Sequence, residues 1–196
     1  MGGERRAFII TVMGRDRLGV IADVTRGVLA LEGHIHELSQ TVLQGFFTVI
    51  FDADFPAPVA AEEIRQAIAR QGKPEEFCIG VQEKPPDLRW ALPPSFGRFI
   101  LTAQGPSHPD LIHRIASYLS DKGINIEDFY AQPRGEQTAL ILQVYIPDIW
   151  DIQQLQLELE ELGGEIGVRF HLQHENIFRV TSEIAAVRRL ALWRGK

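Results

Sequence analysis

The chain repeats itself, and the repeat constrains its fold more than any other feature. Gly14 and Gly105 lie 91 residues apart, and at that single offset Ile21 falls on Ile112, Val24 on Ile115, Val28 on Leu119, Ile35 on Ile126, Ile64 on Leu155, Ile68 on Leu159, Gly72 on Gly163 and Val81 on Leu172. Apolar positions keep their register almost end to end without gaps, so the sequence describes two copies of one small unit. Between the copies, residues 84–95 carry two Pro-Pro pairs, Pro85-Pro86 and Pro93-Pro94, a composition that excludes helix and describes a stiff extended linker. The expected organisation is a first module at 5–83, the linker at 84–95, a second module at 96–174 and a tail at 175–196.

Each copy reads as strand, helix, strand, strand, helix, strand. In the first, Ala7 to Val12 is a β-rich run broken by Gly14-Arg15-Asp16-Arg17-Leu18-Gly19. From Val20, the residues Ile21, Val24, Val28 and Leu31 recur at helical spacing, and Gly33 is expected to end the helix. Ile35 to Val42 and Phe46 to Asp54 form a hairpin about Gln44-Gly45, Ala60 to Arg70 a second helix, and Glu76 to Glu83 the last strand, with Phe77, Ile79 and Val81 inward. The second copy predicts strands at Arg98 to Ala103, Glu127 to Gln132, Gln137 to Ile146 and Gly167 to His174, with helices at Leu111 to Lys122 and Trp150 to Leu162. The fold class is α+β: two tandem ferredoxin-like βαββαβ modules, each a four-stranded antiparallel sheet with two helices on one face. A C-terminal helix is expected from Ser182, with Ile184, Val187, Leu190 and Ala191 as an apolar stripe that packs on the chain, pairs with a second subunit or docks a partner.

The motifs at the first turn then carry a resemblance. Gly14-Arg15-Asp16-Arg17-Leu18-Gly19-Val20-Ile21, followed after one helix by Gly33-His34-Ile35, resembles the ACT family pattern of a polar turn, a glycine at the helix mouth and a Gly-x-Asn-Ile-like close. The second copy has Gly105-Pro106-Ser107-His108-Pro109-Asp110-Leu111-Ile112 and then Gly123-Ile124-Asn125-Ile126, a better match at the close and a poorer one at the turn. Within the family, the pair and its second turn are similar to the bacterial glycine-cleavage-system transcriptional repressor group. The resemblance implies a ligand-sensing protein whose ligands sit where two modules meet.

A turn leading into a helix presents free N–H groups at the positive helix end, which suits the carboxylate of a small amino acid. Leu18, Gly19 and Val20 are the expected donors; Asp16 accepts from the ligand's ammonium or caps the helix, Arg17 belongs to the same turn, and His34 with Ile35 is expected to face the same crevice. Candidates in the second module are Ser107, His108, Leu111 and Asn125. There Asp110 adds a negative side chain where a carboxylate would approach, and Ser107 as N-cap with Pro109 in the first turn explains the loop without a ligand. Asn125 reads equally as a left-handed residue closing its helix.

Other chemistry is sparse. No phosphate-binding glycine loop, nucleophile elbow or paired-histidine zinc motif occurs, so the chain is read as a non-enzyme with no cofactor and no metal. Asp52 and Asp54 read as a solvated strand edge, His34 and His36 share a face, and the single cysteine, Cys78, has no base near it in sequence. A formal net charge of -6 argues against direct nucleic-acid binding. Met1 to Arg6 runs straight into a strand pattern, and no apolar run reaches the ~18 residues of a membrane span, so a cytoplasmic protein without membrane association is expected. Two function classes stand: a regulatory homodimer that binds a small amino acid and signals to a protein partner, or a ligand-free dimerisation and interaction scaffold.

Overall fold

The computed structural model describes residues 4–73, 75–85 and 96–178. The chain divides into two compact units, Met1–Trp90 and Ala91–Lys196. The first unit contains β1 (Arg5–Arg15), α1 (Val20–Leu29), β2 (His34–Leu43), β3 (Phe46–Pro56), α2 (Ala61–Ala69) and β4 (Cys78–Glu83). The second contains β5 (Phe96–Pro106), α3 (Leu111–Asp121), β6 (Asn125–Arg134), β7 (Gln137–Pro147), α4 (Ile152–Ile166) and β8 (Arg169–His174). The sheets run β2-β3-β1-β4 and β6-β7-β5-β8, with every neighbouring pair antiparallel. The expected βαββαβ plan holds in both copies. The tail helix expected from Ser182 lies outside the described residues.

Alternation along the strands sorts each sheet into a helix-covered face and an open one. In the first module Phe8, Ile10 and Val12 of β1 and Phe47, Val49, Phe51 and Ala53 of β3 are buried against Val20, Val24 and Val28 of α1 and Ile64 and Ile68 of α2. Valine is a poor helix former, so the three valines on the buried face of α1 show packing, not propensity, holding that helix. In the second module Leu101, Leu140, Leu142 and Val144 meet Leu111, Ile115 and Leu119 of α3 and Leu155 and Leu159 of α4. Each such side chain taken from water stabilises by about 1.5–3 kcal/mol before ordering costs.

Several element ends differ from the sequence reading for identifiable reasons. β1 and β5 extend to eleven residues because each pairs along its whole length with the other inner strand of its sheet, β3 or β7. α4 runs through Gly163-Gly164 and stops at Gly167, the left-handed C-cap at φ 70°. Gly163 is there for space: a Cβ would stand 2.2 Å from Val168 O. The helix begins at Ile152 rather than Trp150, and Asp151 caps it, its carboxylate accepting from the Gln153 and Gln154 N–H groups. After α1 the left-handed residue is Glu32 at φ 53°, one position before Gly33. Gly33 is held by crowding, since a Cβ would lie 2.4 Å from the Phe55 ring. The hairpin at Gln44-Gly45, with φ 51° and 78°, has the two positive values of a type I′ turn.

Candidate functional site

The first turn hangs between the end of β1 and the mouth of α1. Arg15, the last residue of β1, pairs with Phe46, and the next N–H, of Asp16, donates to Gly45 O at 2.9 Å, tying the turn to the hairpin tip. Gly19 is the N-cap of α1 at φ 83°, ψ 0°, a left-handed conformation that a side chain would strain. A Cβ built there meets nothing within 4 Å, so the space above the mouth is open. Asp16 is exposed and does not serve as the N-cap; Leu18 is 99% exposed.

Of the three expected donors, Val20 is committed elsewhere: its N–H donates to Arg17 O at 3.3 Å and its side chain is buried. Leu18 and Gly19 carry the outward part of the mouth. Arg17 is committed too. Its Nε donates to Glu76 Oε1 at 2.5 Å, its Nη2 to Asp23 Oδ2 at 2.7 Å and its Nη1 to Leu18 O at 3.3 Å. Glu76 also accepts from the Lys73 N–H at 2.6 Å. The Arg17 hydrogen bond, then the Lys73 N–H, hold the Glu76 carboxyl down to about 2, while Glu76 and Asp23 push the Arg17 guanidinium further up. Arg17 therefore fixes the turn's shape against the loop leading into β4.

His34 and Ile35 do not join this turn. His34 pairs with Asp54, whose β1 partner is Ala7, and β2 runs parallel to β1, so His34 lies at the opposite end of its module from Asp16. The nine residues from Ala7 to Asp16 span about 30 Å of strand. At that far end is a polar cluster the sequence reading missed. Arg5 Nε donates to Asp54 Oδ1 at 2.7 Å and Arg5 Nη2 to Glu32 O at 3.0 Å; His36 Nε2 lies 3.0 Å from Asp54 Oδ2, and the His34 ring stands edge-on to that of His36 with centroids 4.9 Å apart. Burial alone would raise the Asp54 carboxyl, but the hydrogen bonds from Arg5 and His36 bring it below its ordinary value. Asp52 and Asp54 are thus not a solvated edge: β3 is an inner strand, and Asp52 pairs with Lys84 Nζ at 2.6 Å. The available signal was the pair of aspartates on one face of a strand flanked by Arg5. Among the described residues no group of three His, Cys, Asp or Glu side chains is placed to hold a metal ion. Cys78 is exposed.

The second module repeats the scaffold with different chemistry. The Ser107 N–H donates to Glu136 O at 2.9 Å, the counterpart of the Asp16 bond 91 residues earlier, and Ser107 is not the cap. The N-cap is Asp110 at φ -95°, its carboxylate paired with His108 Nδ1. Leu111 is buried and its N–H donates to His108 O at 3.2 Å. Asn125 opens β6 opposite Tyr145; the left-handed residue after α3 is Gly123 at φ 67°. Where the first module has Arg5, His36 and Asp54, the second sets Arg98, Glu127 and Tyr145, the tyrosine hydroxyl donating to Glu127 Oε1 at 2.7 Å.

Comparison with known proteins follows the same division. A UPF0237 protein of Methanococcus maripaludis is 33% identical over 86 residues, 43% of this chain and 96% of the relative, and one of Methanosarcina mazei is 39% identical over 80 residues, 39% of this chain and 80% of the relative. Those relatives correspond in length to one module. Two solved structures share the tandem fold: a protein of unassigned function from Galdieria sulphuraria (TM-score 0.73, 20% identity, 87% of this chain and 99% of that one), and a candidate glycine cleavage system transcriptional repressor (TM-score 0.66, 16% identity, 86% and 96%). At these identities the likeness is one of fold. The ACT domain model matches residues 6–82 and again residues 98–173, and the chain belongs to the ACT domain family.

Proposed function

We propose that this protein is a non-catalytic cytoplasmic regulator that binds a small amino acid at the Asp16–Gly19 turn of its first module and, as a homodimer, passes that occupancy to a partner protein. The observation that carries the reading is the uncovered mouth of α1: a left-handed glycine cap with open space above it, beside an exposed Asp16. The Leu18 and Gly19 N–H groups suit a carboxylate, and Asp16 an ammonium, so both charged ends of an α-amino acid find a complement. ACT modules are typically ligand-binding regulatory units, and one structure of the same fold carries the name of a glycine cleavage system repressor. The Arg17–Glu76 ion pair gives the turn a rigid link to the entry of β4, so a ligand that prefers one position of the turn would bias that strand.

A thermal-shift screen of the purified chain against the common amino acids at millimolar concentration tests this reading. A ligand at ~100 times its dissociation constant stabilises by ~2.7 kcal/mol. The expected result is a raised Tm with one or a few amino acids, lost in Asp16→Ala and in Gly19→Ala and retained in Asp110→Ala. No shift with any of them would favour the scaffold reading. That alternative has its own support in the apolar side chains around the same turn, with Leu18 99%, Leu43 72% and Phe46 49% exposed.

A further inference from the structure

The open sheet face of the first module is apolar where the fold does not require it. Phe8, Ile10 and Val12 of β1 and Phe47, Val49 and Phe51 of β3 turn toward the helices, so Met13, Phe46 and Ile50 stand on the opposite face, with Leu43 across the hairpin from Phe46. Their exposures are 48%, 49%, 46% and 72%. At the 91-residue offset the second module has Gln104, Gln137, Ile141 and Arg134, so the same scaffold stands with a polar surface at its hairpin end. An apolar strip present in one copy of a repeat and replaced in the other marks a surface that meets a partner. The charges of this face are divided between its two ends. At the hairpin end Arg15 lies over the Phe46 ring at 5.8 Å and has no carboxylate partner among the described residues. At the other end Glu37 and Asp52, opposite each other on β2 and β3, line a hollow of about 230 Å³ with Ile9, Ser39 and Ile50. One Asp52 oxygen accepts from Lys84 Nζ; the other, Oδ1, is buried without a hydrogen-bond partner among the described residues. An acceptor in that state costs stability until a donor reaches it. Arg15 of the same module is not that donor, since it lies six residues along β1 from Ile9, the partner of Asp52, or about 20 Å.

We propose that two copies of the chain meet on this face, sheet on sheet about a two-fold axis running across the strands, so that Arg15 of each copy enters the Glu37–Asp52 hollow of the other. The inference rests on the homodimer of the proposed function for the presence of two copies, and says where they join. Sheets packed face to face lie about 10 Å apart, a gap that an arginine side chain leaning over Phe46 spans. With the axis midway between the Arg15 and Asp52 rows, Thr11 lies over the partner's Met13 and Ile50 over the partner's Thr48, and the apolar strip leaves water. Opposite charges at opposite ends make the face self-complementary in this orientation alone. An axis along the strands would set Arg15 against the partner's Arg15 instead.

Sedimentation equilibrium of the full-length chain, of Arg15→Glu, of Glu37→Arg and of the double variant tests the proposal. The expected result is a native dimer whose dissociation constant rises about tenfold or more in each single variant and recovers in the double. Because Arg15 and Glu37 stand about 20 Å apart within one module, that recovery can arise only between chains. A dimer indifferent to either single change, or losses that merely add in the double, would overturn the proposal and leave a homodimer joined elsewhere. A monomer at every concentration would remove both this interface and the homodimer of the proposed function. Against misfolding of the variants, the native chain gives a second measurement without substitution. Cys78, its only cysteine, is exposed on the same face opposite Met13. A short bifunctional maleimide should join two chains through Cys78 with a yield that follows the dimer population; labelling of Cys78 without an interchain crosslink at dimer concentrations would sink the idea.

Discussion

The Arg17 guanidinium meets the Glu76 carboxylate at 2.5 Å across 59 residues of chain, joining the first turn to the loop before β4. Both ends of that contact are built for it. Gly14, just before the turn, has no Cβ because one would lie 2.7 Å from Glu76 O, and at the same place in the second module a Cβ on Gly105 would lie 2.7 Å from Gly167 O.

This ion pair sets an acid sensitivity. The Glu76 carboxyl is depressed in the folded chain from its ordinary 4.5 to about 2, so its stabilisation is complete above 4.5 and is lost as pH falls toward 2. Glu76→Gln is expected to lower Tm at neutral pH and to flatten the dependence of Tm on pH between 4.5 and 2 relative to the native chain. Equal slopes in that window would remove Glu76 as the source.

Glu32 holds a left-handed conformation at φ 53° where the second module uses Gly123 at φ 67°. A side chain costs about 1–2 kcal/mol in that region, and a new glycine returns part of this through added freedom of the unfolded chain. Glu32→Gly is expected to stabilise the first module by about 0.5–1 kcal/mol, read as a higher urea midpoint at unchanged slope. The Arg5 bond to Glu32 O is to backbone and survives the change. A lower midpoint would refute the strain argument.

Gly27 sets the approach of α1 to α2. A Cβ there would stand 2.6 Å from Ile68 Cα and 2.9 Å from Ile68 N, both backbone atoms that cannot turn aside. Gly27→Ala is expected to cost about 1–3 kcal/mol in urea unfolding despite the better helix propensity of alanine. The repeat places Tyr118 at this position, its hydroxyl donating to Glu158 of α4 at 3.1 Å, so one module holds its two helices apart with a ring where the other brings them into backbone contact. A neutral Gly27→Ala would mean that the helices separate without penalty.

What could be read from the sequence follows from where the information is local. Strand and helix identities are legible because Ile21, Val24, Val28 and Leu31, and again Ile64 and Ile68, recur at helical spacing while Phe77, Ile79 and Val81 alternate. The 91-residue offset then transferred each reading to the second copy. The turn is legible as a turn, but its chemistry is not: nothing near Arg17 in sequence announces Glu76, 59 residues away, and that contact, with the one to Asp23, makes Arg17 a brace. Sequence order groups His34 with the turn because Gly33-His34-Ile35 follows the helix directly, whereas α1 carries the chain back along β1 before β2 begins. Gly33 looked like a helix terminator and is instead a gap for the Phe55 ring.

The Asp110–His108 pair at the mouth of α3 has a quantitative consequence for any dose response. On the proposed reading, a carboxylate ligand that enters beside Gly19 would meet a side chain of its own sign at the equivalent place in the second copy, so the two like folds would offer one receptive mouth per chain. Occupancy of an isolated chain would then follow a simple hyperbola in ligand concentration, and any steeper curve would have to be generated by the association of chains rather than by the duplication within one.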